Sequence, residues 1–435
     1  MWRKKSKTER NKPREEKTKG IAEKGGAKST TQSKMPTSRI FEGDRTLWII
    51  FTVLLVISIL VVYSSMAKMT YDATSKMSLF DALQKQVVFV IGAVILIFVV
   101  HKIDYKVYMR WTYLFYLVCV ICTVAVYFVG EKTNDAARWL SIGPIKFQPS
   151  EALKIATILM LARVMESRQA TINRLKIIPT SFKLRSPKQR EILRKNTIPL
   201  LGPVLLSCIV IIPAHTSSAL IVFIISIIML YIGRVSIREI VKFCLVIGVI
   251  GALGLGAMEL ADKGRVDIAA RRIERWGNEW FGDTQARSIS DISDTQRALI
   301  AIHNGGLVGE GAGQSTSRVL VTHPESDYAY AFFVSEYGII MGLILMLLYI
   351  WIFFRAMDIG QQCTTPFPTL MTLGLGLLIT AQALLHILVQ VNFLPETGQI
   401  LPFISRGGSS LLLSTLSLGM IISVSRTNYN KRFQR

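Results

Sequence analysis

The recurrence of apolar runs of membrane-span length most constrains what this chain can fold into. Leu47–Met66, Thr112–Val129, Ile240–Leu260, Ala329–Phe354 and Thr369–Val389 each hold 18 residues or more with few charges. That length lets a helix cross a hydrocarbon core of about 30 Å. Val87–Val100, Ala219–Gly233, Glu151–Val164, Ile198–Pro213 and Gly408–Val424 are shorter or broken by Gly, Pro or polar residues. A hydrophobic share of 51% and a mean hydropathy of +0.40 exceed those of an ordinary soluble domain. The predicted fold class is an all-α polytopic membrane protein of about ten transmembrane helices.

The net charge of +22 suggests nucleic acid until its placement is considered. Residues 1–46 hold fourteen Lys and Arg and the connection 163–197 holds ten, with three each in 101–110 and 234–242 and four in 426–435. If ten spans alternate, all of these fall on one side. That is the positive-inside pattern, and it sets both termini in the cytoplasm of a multi-pass inner-membrane protein with no nucleic-acid partner. The expected organisation is a basic disordered tail over 1–46, a membrane domain over 47–425 and a cytoplasmic tail over 426–435. The basic tail also suits anionic membrane lipid or an acidic partner. Cys119, Cys122, Cys208 and Cys244 lie in spans and Cys363 on the cytoplasmic side, so no external disulfide is expected. The five His show no metal-ligand spacing.

Alternation leaves 67–85, 130–150, 214–218, 261–328 and 390–407 outside. The large loop 261–328, between spans seven and eight, mixes charges with aromatic and apolar residues and is expected to fold as a cap. Its "ALIAIHNGGLVGEGAGQS" (298–315) matches no phosphate-binding glycine motif, so turns and close backbone packing are expected there. In "NDAARWLSIGPIKFQPSEALK" (134–154), Arg138, Trp139, Lys146 and Lys154 crowd one membrane rim. Glu151 and Lys154 share a helix face. The cluster reads either as an interfacial anchor or as an anion site for a lipid phosphate. A third cluster, "LPETGQILPFISRGGSS" (394–410), reads as a kinked external connection carrying Arg406.

Three acids stand near the start of span eight, in "THPESDYAYAFFVSEYG" (322–338). Asp327 and Glu336 are nine residues apart, about 13.5 Å along one continuous helix and half a turn around it, so they cannot pair from that helix alone. Glu336 is expected to pair inside the bundle, with span four a candidate source of the cation. Glu325 is expected to be solvated. Asp327 reads either as a general base at the rim or as a helix N-cap.

The three clusters resemble, in order, motifs of the SEDS family of peptidoglycan polymerases (FtsW, RodA, SpoVE). "AARWLSIGPIKFQPSEALK" is similar to K-R-W-I-x-L-G…F-Q-P-S-E-x-x-K. The Gly-rich stretch is similar to S-L-I-A-I-G-S-G-G-L-x-G-x-G-x-G-x-S, and the last cluster to L-P-x-T-G-x-x-L-P-F-I-S-Y-G-G-S-S. The likeness runs from about residue 43 to 426. It places Asp327 on the family's essential Asp, with departures: the preceding "HPES" is altered, Ser335 stands for a Glu, and Arg406 stands for a Tyr. "PAHTSSA" (213–219) also replaces a loop that often carries an Asp. The last two changes, with "GDRTLW" at the first span, look more like FtsW homologues of the Bacteroidetes kind than like RodA.

The resemblance implies a glycosyltransferase joining lipid II into glycan strands at the outer face of the cytoplasmic membrane, with Asp327 as the base and undecaprenyl pyrophosphate as the leaving group. It implies a substrate-binding set of Arg138, Trp139, Lys146, Gln148, Glu151, Lys154, Arg406 and Ser409. It also implies a class B penicillin-binding transpeptidase and other divisome proteins as partners, with division favoured over elongation. A divalent cation at the diphosphate is compatible with the chemistry, but no ligand set is visible. The competing class is a flippase or transporter of the same lipid, which needs mid-span polar residues; Glu336, Gln382, His386 and Gln390 are the candidates.

Overall fold

A computed structural model of the chain describes residues 41–66, 79–133, 136–142, 145–169, 172, 187, 191, 193–260, 272–274, 276–278, 280, 292–321 and 323–433. Residues 1–40, most of the expected basic tail, lie outside them. Three helices come first: α1 (Arg45–Met66), α2 (Leu79–Val100) and α3 (Tyr105–Val129). Asp104 caps α3 by accepting from Lys106 N at 2.9 Å. A small antiparallel meander follows: β1 (Glu131–Thr133), β2 (Ala136–Ile142) and β3 (Ile145–Phe147). Its register sets Glu131 opposite Trp139 and Ser141 opposite Lys146. This sheet is the one departure from the all-α expectation among the described residues.

α4 (Pro149–Ser167) opens with Pro in its first turn, where the missing N–H costs nothing. A π-helical turn at Leu193–Thr197 leads into α5 (Ile198–Ile211), then α6 (Thr216–Ile232) and α7 (Ile237–Leu260). Between α7 and the next long helix stand α8 (Asp294–Gly305), started by a Ser293–Gln296 capping box, and the single turn α9 (Ser317–Leu320). The chain closes with α10 (Ala329–Gln361), α11 (Pro366–Gln390) and α12 (Gly408–Phe433). α12 continues to Phe433, so residues 426–433 of the expected tail are helical. α10 is broken at Gly338, whose φ of +82° is a left-handed conformation suited to glycine.

Among the described residues, seven helices are long and apolar enough to cross a membrane. Of the other long helices, α4 carries Glu151, Lys154, Arg163 and Glu166 and α6 is 17 residues long; in α7 the charges Arg238, Glu239 and Lys242 lie in the first two turns, ahead of an apolar run over 243–258. α10 exposes Ile340, Leu343, Leu347, Trp351 and Phe354. An apolar stripe of this extent is stable against lipid or another apolar helix rather than water. The chain is a multi-pass membrane protein.

α11 lies at the centre, packed by α4, α6, α10 and α12. Polar side chains stitch the bundle at both ends. Ser64, near the end of α1, bonds Glu336 in α10, while Arg355 near the other end of α10 pairs with Asp44 just before α1. These two ties make α1 and α10 antiparallel. On the Asp44 side Arg426 also donates to the Lys102 carbonyl at 2.8 Å and faces Glu42 at 3.7 Å.

Candidate active site

The Gly-rich segment closes against the break in α10. Glu310 N and Gly311 N donate to the carbonyls of Ser335 and Glu336, both at 3.0 Å, and Ile339 N donates to Gly306 O at 2.9 Å. A Cβ at Gly309 would come within 2.7 Å of Gly338 N, and one at Gly305 within 2.7 Å of Ser335 Cα. Main chain therefore meets main chain here, and the glycines are the condition for it. Ser315 and Ser335 join hydroxyls at 2.9 Å, filling the place where Ser335 departs from the family Glu.

Directly before α10 stands Asp327, exposed at the rim. Tyr328, not Asp327, is the N-cap residue of α10, and it makes no side-chain cap. The N-cap alternative for Asp327 is therefore not what the structure shows. The segment is held by its main chain. Arg406 N donates to Glu325 O at 2.7 Å, Ser405 Oγ to Ser326 O at 2.8 Å, and Gln390 Nε2 to Asp327 O at 3.2 Å. The buried turn that supplies Ser405 is itself fixed. Phe403 has φ of +67°, Leu401 and Ile404 are buried, and Tyr349 Oη reaches Pro402 O at 2.5 Å. Two clusters far apart in sequence thus meet, bringing Arg406, partly exposed, beside the Asp327 segment.

Tyr328 and the loop after α11 add a second tie. Glu396 accepts from Thr295 Oγ1 of α8 at 2.8 Å and from Tyr328 Oη at 3.4 Å. Burial, and then the Glu396 carboxylate, push the Tyr328 phenol well above its usual range, so it stays a neutral donor. Trp276 and Trp280 donate to Asn392 O at 3.1 and 2.8 Å, binding part of the large loop to the same connection.

Glu336 behaves differently from its expectation in one respect. It pairs inside the bundle, but with Arg318 from the loop before α10, at 3.2 Å, and not with a cation from α4. The same oxygen accepts from Ser64 Oγ and from Gly313 N at 3.0 Å. Glu325 is a correction too: it is buried at 9% exposure, its carbonyl is held by Arg406 N of the 401–406 turn, and the His323 ring nitrogen Nδ1 lies 3.8 Å from its carboxylate.

The α4 cluster divides. Lys154, wholly buried, pairs with Glu151 at 2.7 Å, and Gln382 of α11 donates to the other Glu151 oxygen at 3.1 Å. Gln148 is buried and bonds Ser150 at 3.2 Å; Ser409 is buried at the start of α12. These four do not form an open anion site in this conformation. Trp139 is half-buried and Lys146 is exposed on the meander. The Arg138 side chain lies outside what the structure describes. Among the described residues no three His, Cys, Asp or Glu side chains converge as a metal site.

The family FtsW/RodA/SpoVE, described as "Cell cycle protein", matches residues 44–430. The chain belongs to this family. It is 28% identical to stage V sporulation protein E of Bacillus subtilis over 394 residues, covering 90% of this chain and 99% of that protein. It is 28% identical to the peptidoglycan glycosyltransferase MrdB of Escherichia coli K12, covering 88% and 93% of the two. To the probable peptidoglycan glycosyltransferase FtsW of Haemophilus influenzae it is 25% identical, covering 88% and 91%. The fold matches Thermus thermophilus RodA with a TM-score of 0.56 at 20% identity, covering 89% of this chain and 98% of that one. It also matches a structure entitled "Structural coordination of polymerization and crosslinking by a peptidoglycan synthase complex", TM-score 0.63 at 17% identity, with the same coverage.

Sequence reading gave no role in this site to Arg318, Tyr328 and Glu396 and named Gln390 only as a mid-span polar residue of a transporter, yet all four organise the site. Each acts through a partner 18 or more residues away. Their common signal was a polar side chain set among apolar or aromatic neighbours, which must find a partner once buried.

Proposed function

We propose that this FtsW/RodA/SpoVE family member polymerises lipid II, with Asp327 as the general base. The acceptor sugar's 4-hydroxyl attacks the anomeric carbon of the donor. The new C–O bond forms as the bond to undecaprenyl pyrophosphate breaks, and the hydroxyl proton passes to the Asp327 carboxylate. Attack opposite the leaving group inverts the anomeric configuration. A sugar hydroxyl is a poor nucleophile unless its proton is taken in the transition state, which a positioned base accelerates by about 10²–10⁴-fold. The observation that carries this reading is a carboxylate exposed at the rim on a main chain pinned from three sides.

Lys146 and Arg406 are the cations placed to meet lipid phosphates, and Trp139 packs on lipid or sugar. Glu151, Lys154 and Gln148 act from behind, by fixing the start of α4 under the meander. The Lys and Arg asymmetry assigns the Asp327 face to the outside of the cytoplasmic membrane and both termini to the cytoplasm. By family resemblance the partner is a single-span class B penicillin-binding transpeptidase, working with other divisome proteins, and division is the favoured role.

Glycan-strand formation from lipid II by the full-length protein, with and without such a partner, tests the reading. Asp327→Asn is expected to give no polymer while binding lipid II. Strands from that variant at the wild-type rate would overturn the assignment. Lipid II transport in liposomes without polymer would favour the flippase class instead.

A further inference from the structure

A helix that began one turn earlier than α10 would close with Ala331 N donating to Asp327 O. In this protein that bond is not made. The Gln390 side chain from the last turn of α11 stands between the two groups. Its Oε1 accepts from Ala331 N at 2.5 Å and its Nε2 donates to Asp327 O at 3.2 Å. The first helical bond is therefore the next one, Phe332 N to Tyr328 O at 3.0 Å. We infer that Gln390 is a positioning residue for the reaction, an amide wedge that keeps Asp327 out of α10 and so sets where its carboxylate stands. The inference rests on the reading of Asp327 as the base.

The wedge is itself oriented. Gln390 Nε2 also donates to His386 Nε2, one turn back on α11, and His386 Nδ1 lies 2.7 Å from Gln399 O. With Nε2 accepting, Nδ1 carries the proton, so the imidazole is neutral and the direction of every bond is fixed. Gln399 in turn donates to Ser217 and Ser218 at 2.8 and 3.0 Å. Gln390, His386, Gln399 and Ser218 are all buried. A continuous chain thus runs from the start of α6 to the main chain of Asp327. A flipped Gln390 amide would set its N–H₂ against Ala331 N–H and its oxygen against Asp327 O, two repulsions at once.

Full-length protein in liposomes, with lipid II and a transpeptidase partner, supplies the test. Gln390→Met keeps the volume and removes both bonds; Gln390→Glu keeps an acceptor for Ala331 N and removes the donor to Asp327 O. Both are expected to lose about ten- to a hundredfold in kcat, the cost of misplacing a reacting group by about 1 Å, with KM for lipid II near wild type; melting temperature falls in both, because buried polar groups lose a partner. A merely architectural Gln390 would lower melting temperature in the same way and spare kcat in the molecules that remain folded. If Gln390→Met fails to fold, Gln390→Glu decides alone. Wild-type kcat in a folded Gln390 variant overturns the wedge. Asp327→Asn is run alongside. If it is inactive while the Gln390 variants are not, the wedge alone fails; if Asp327→Asn turns over, the base assignment fails and the wedge with it.

Discussion

Asp327 and Glu336 are acids nine residues apart, and the protein holds them in opposite ways. At Asp327 the main chain is gripped, by Gln390, and on the preceding residues by Ser405 and Arg406, while the side chain stands exposed. At Glu336 the side chain itself is gripped, by Ser64, Gly313 and Arg318, and it is 0% exposed. All three of these donors meet one oxygen of a carboxylate that is sealed inside the protein, where no substrate hydroxyl reaches it. The Asp327 carboxylate, by contrast, stands where solvent and substrate can reach it. On the proposed reading, this difference separates the base from the architectural acid more sharply than depth in the membrane does.

The largest expected effect comes from exchanging those roles. If Asp327 is the base, Asp327→Asn removes the proton acceptor without removing volume, and polymerisation should fall by about 10²–10⁴-fold or more, to no detectable polymer. Melting temperature in detergent should not move. Arg318→Met attacks the other acid. It leaves Glu336 buried without its cation, which costs about 3–5 kcal/mol where a buried pair is broken from one side. Thermal unfolding measures that loss, and adding Glu336→Leu should recover much of it, because neither charge is then stranded. A stable single variant with no activity would reverse the two assignments.

Gly309→Ala follows. Gly309 has φ of +94°, and a Cβ there would stand 2.5 Å from the Glu336 carbonyl carbon. Backbone strain of about 1–3 kcal/mol is expected, together with a displaced Gly-rich segment. Gly248 in α7, where a Cβ meets nothing within 4 Å, is the control. Gly248→Ala should be neutral or gain up to about 1 kcal/mol. Equal melting shifts in the two variants would show that the Gly-rich segment does not depend on close main-chain packing.

The spans, the lipid-facing stripes and the three clusters were legible because each is written locally, as hydropathy or as a motif. The glycines of 305–313 were legible as close packing, though not that their partner is a break in α10. The meander was not, since strands of three residues at 131–133 and 145–147 leave no periodicity to read. Nor were the long-range partners of the buried charges. The Glu151–Lys154 pair was legible from its i,i+3 spacing, but Glu336 pairs with Arg318 of α9 and Glu151 also takes a glutamine from α11, and spacing says nothing about such contacts made through space. The burial of Glu325 was missed for the same reason: the turn that holds its carbonyl lies about 80 residues on.

The smallest effect tests the rim. Lys146 is exposed on β3, whereas Lys154, eight residues on, is sealed with Glu151. If Lys146 meets lipid phosphates, its charge acts at the membrane surface, where one cation contributes about 1 kcal/mol. Lys146→Ala should then raise KM for lipid II roughly fivefold at low salt, with kcat and melting temperature unchanged. The gap between variant and wild type should close as ionic strength rises, because surface charges are screened beyond about 10 Å at 0.1 M. Lys154→Met should do the reverse, lowering melting temperature at every salt concentration with little change in KM, since its partner is inside the protein. A salt-dependent KM for Lys154→Met would mean that the sealed pair opens to substrate, and α4 would then belong to the binding surface rather than to the frame beneath it.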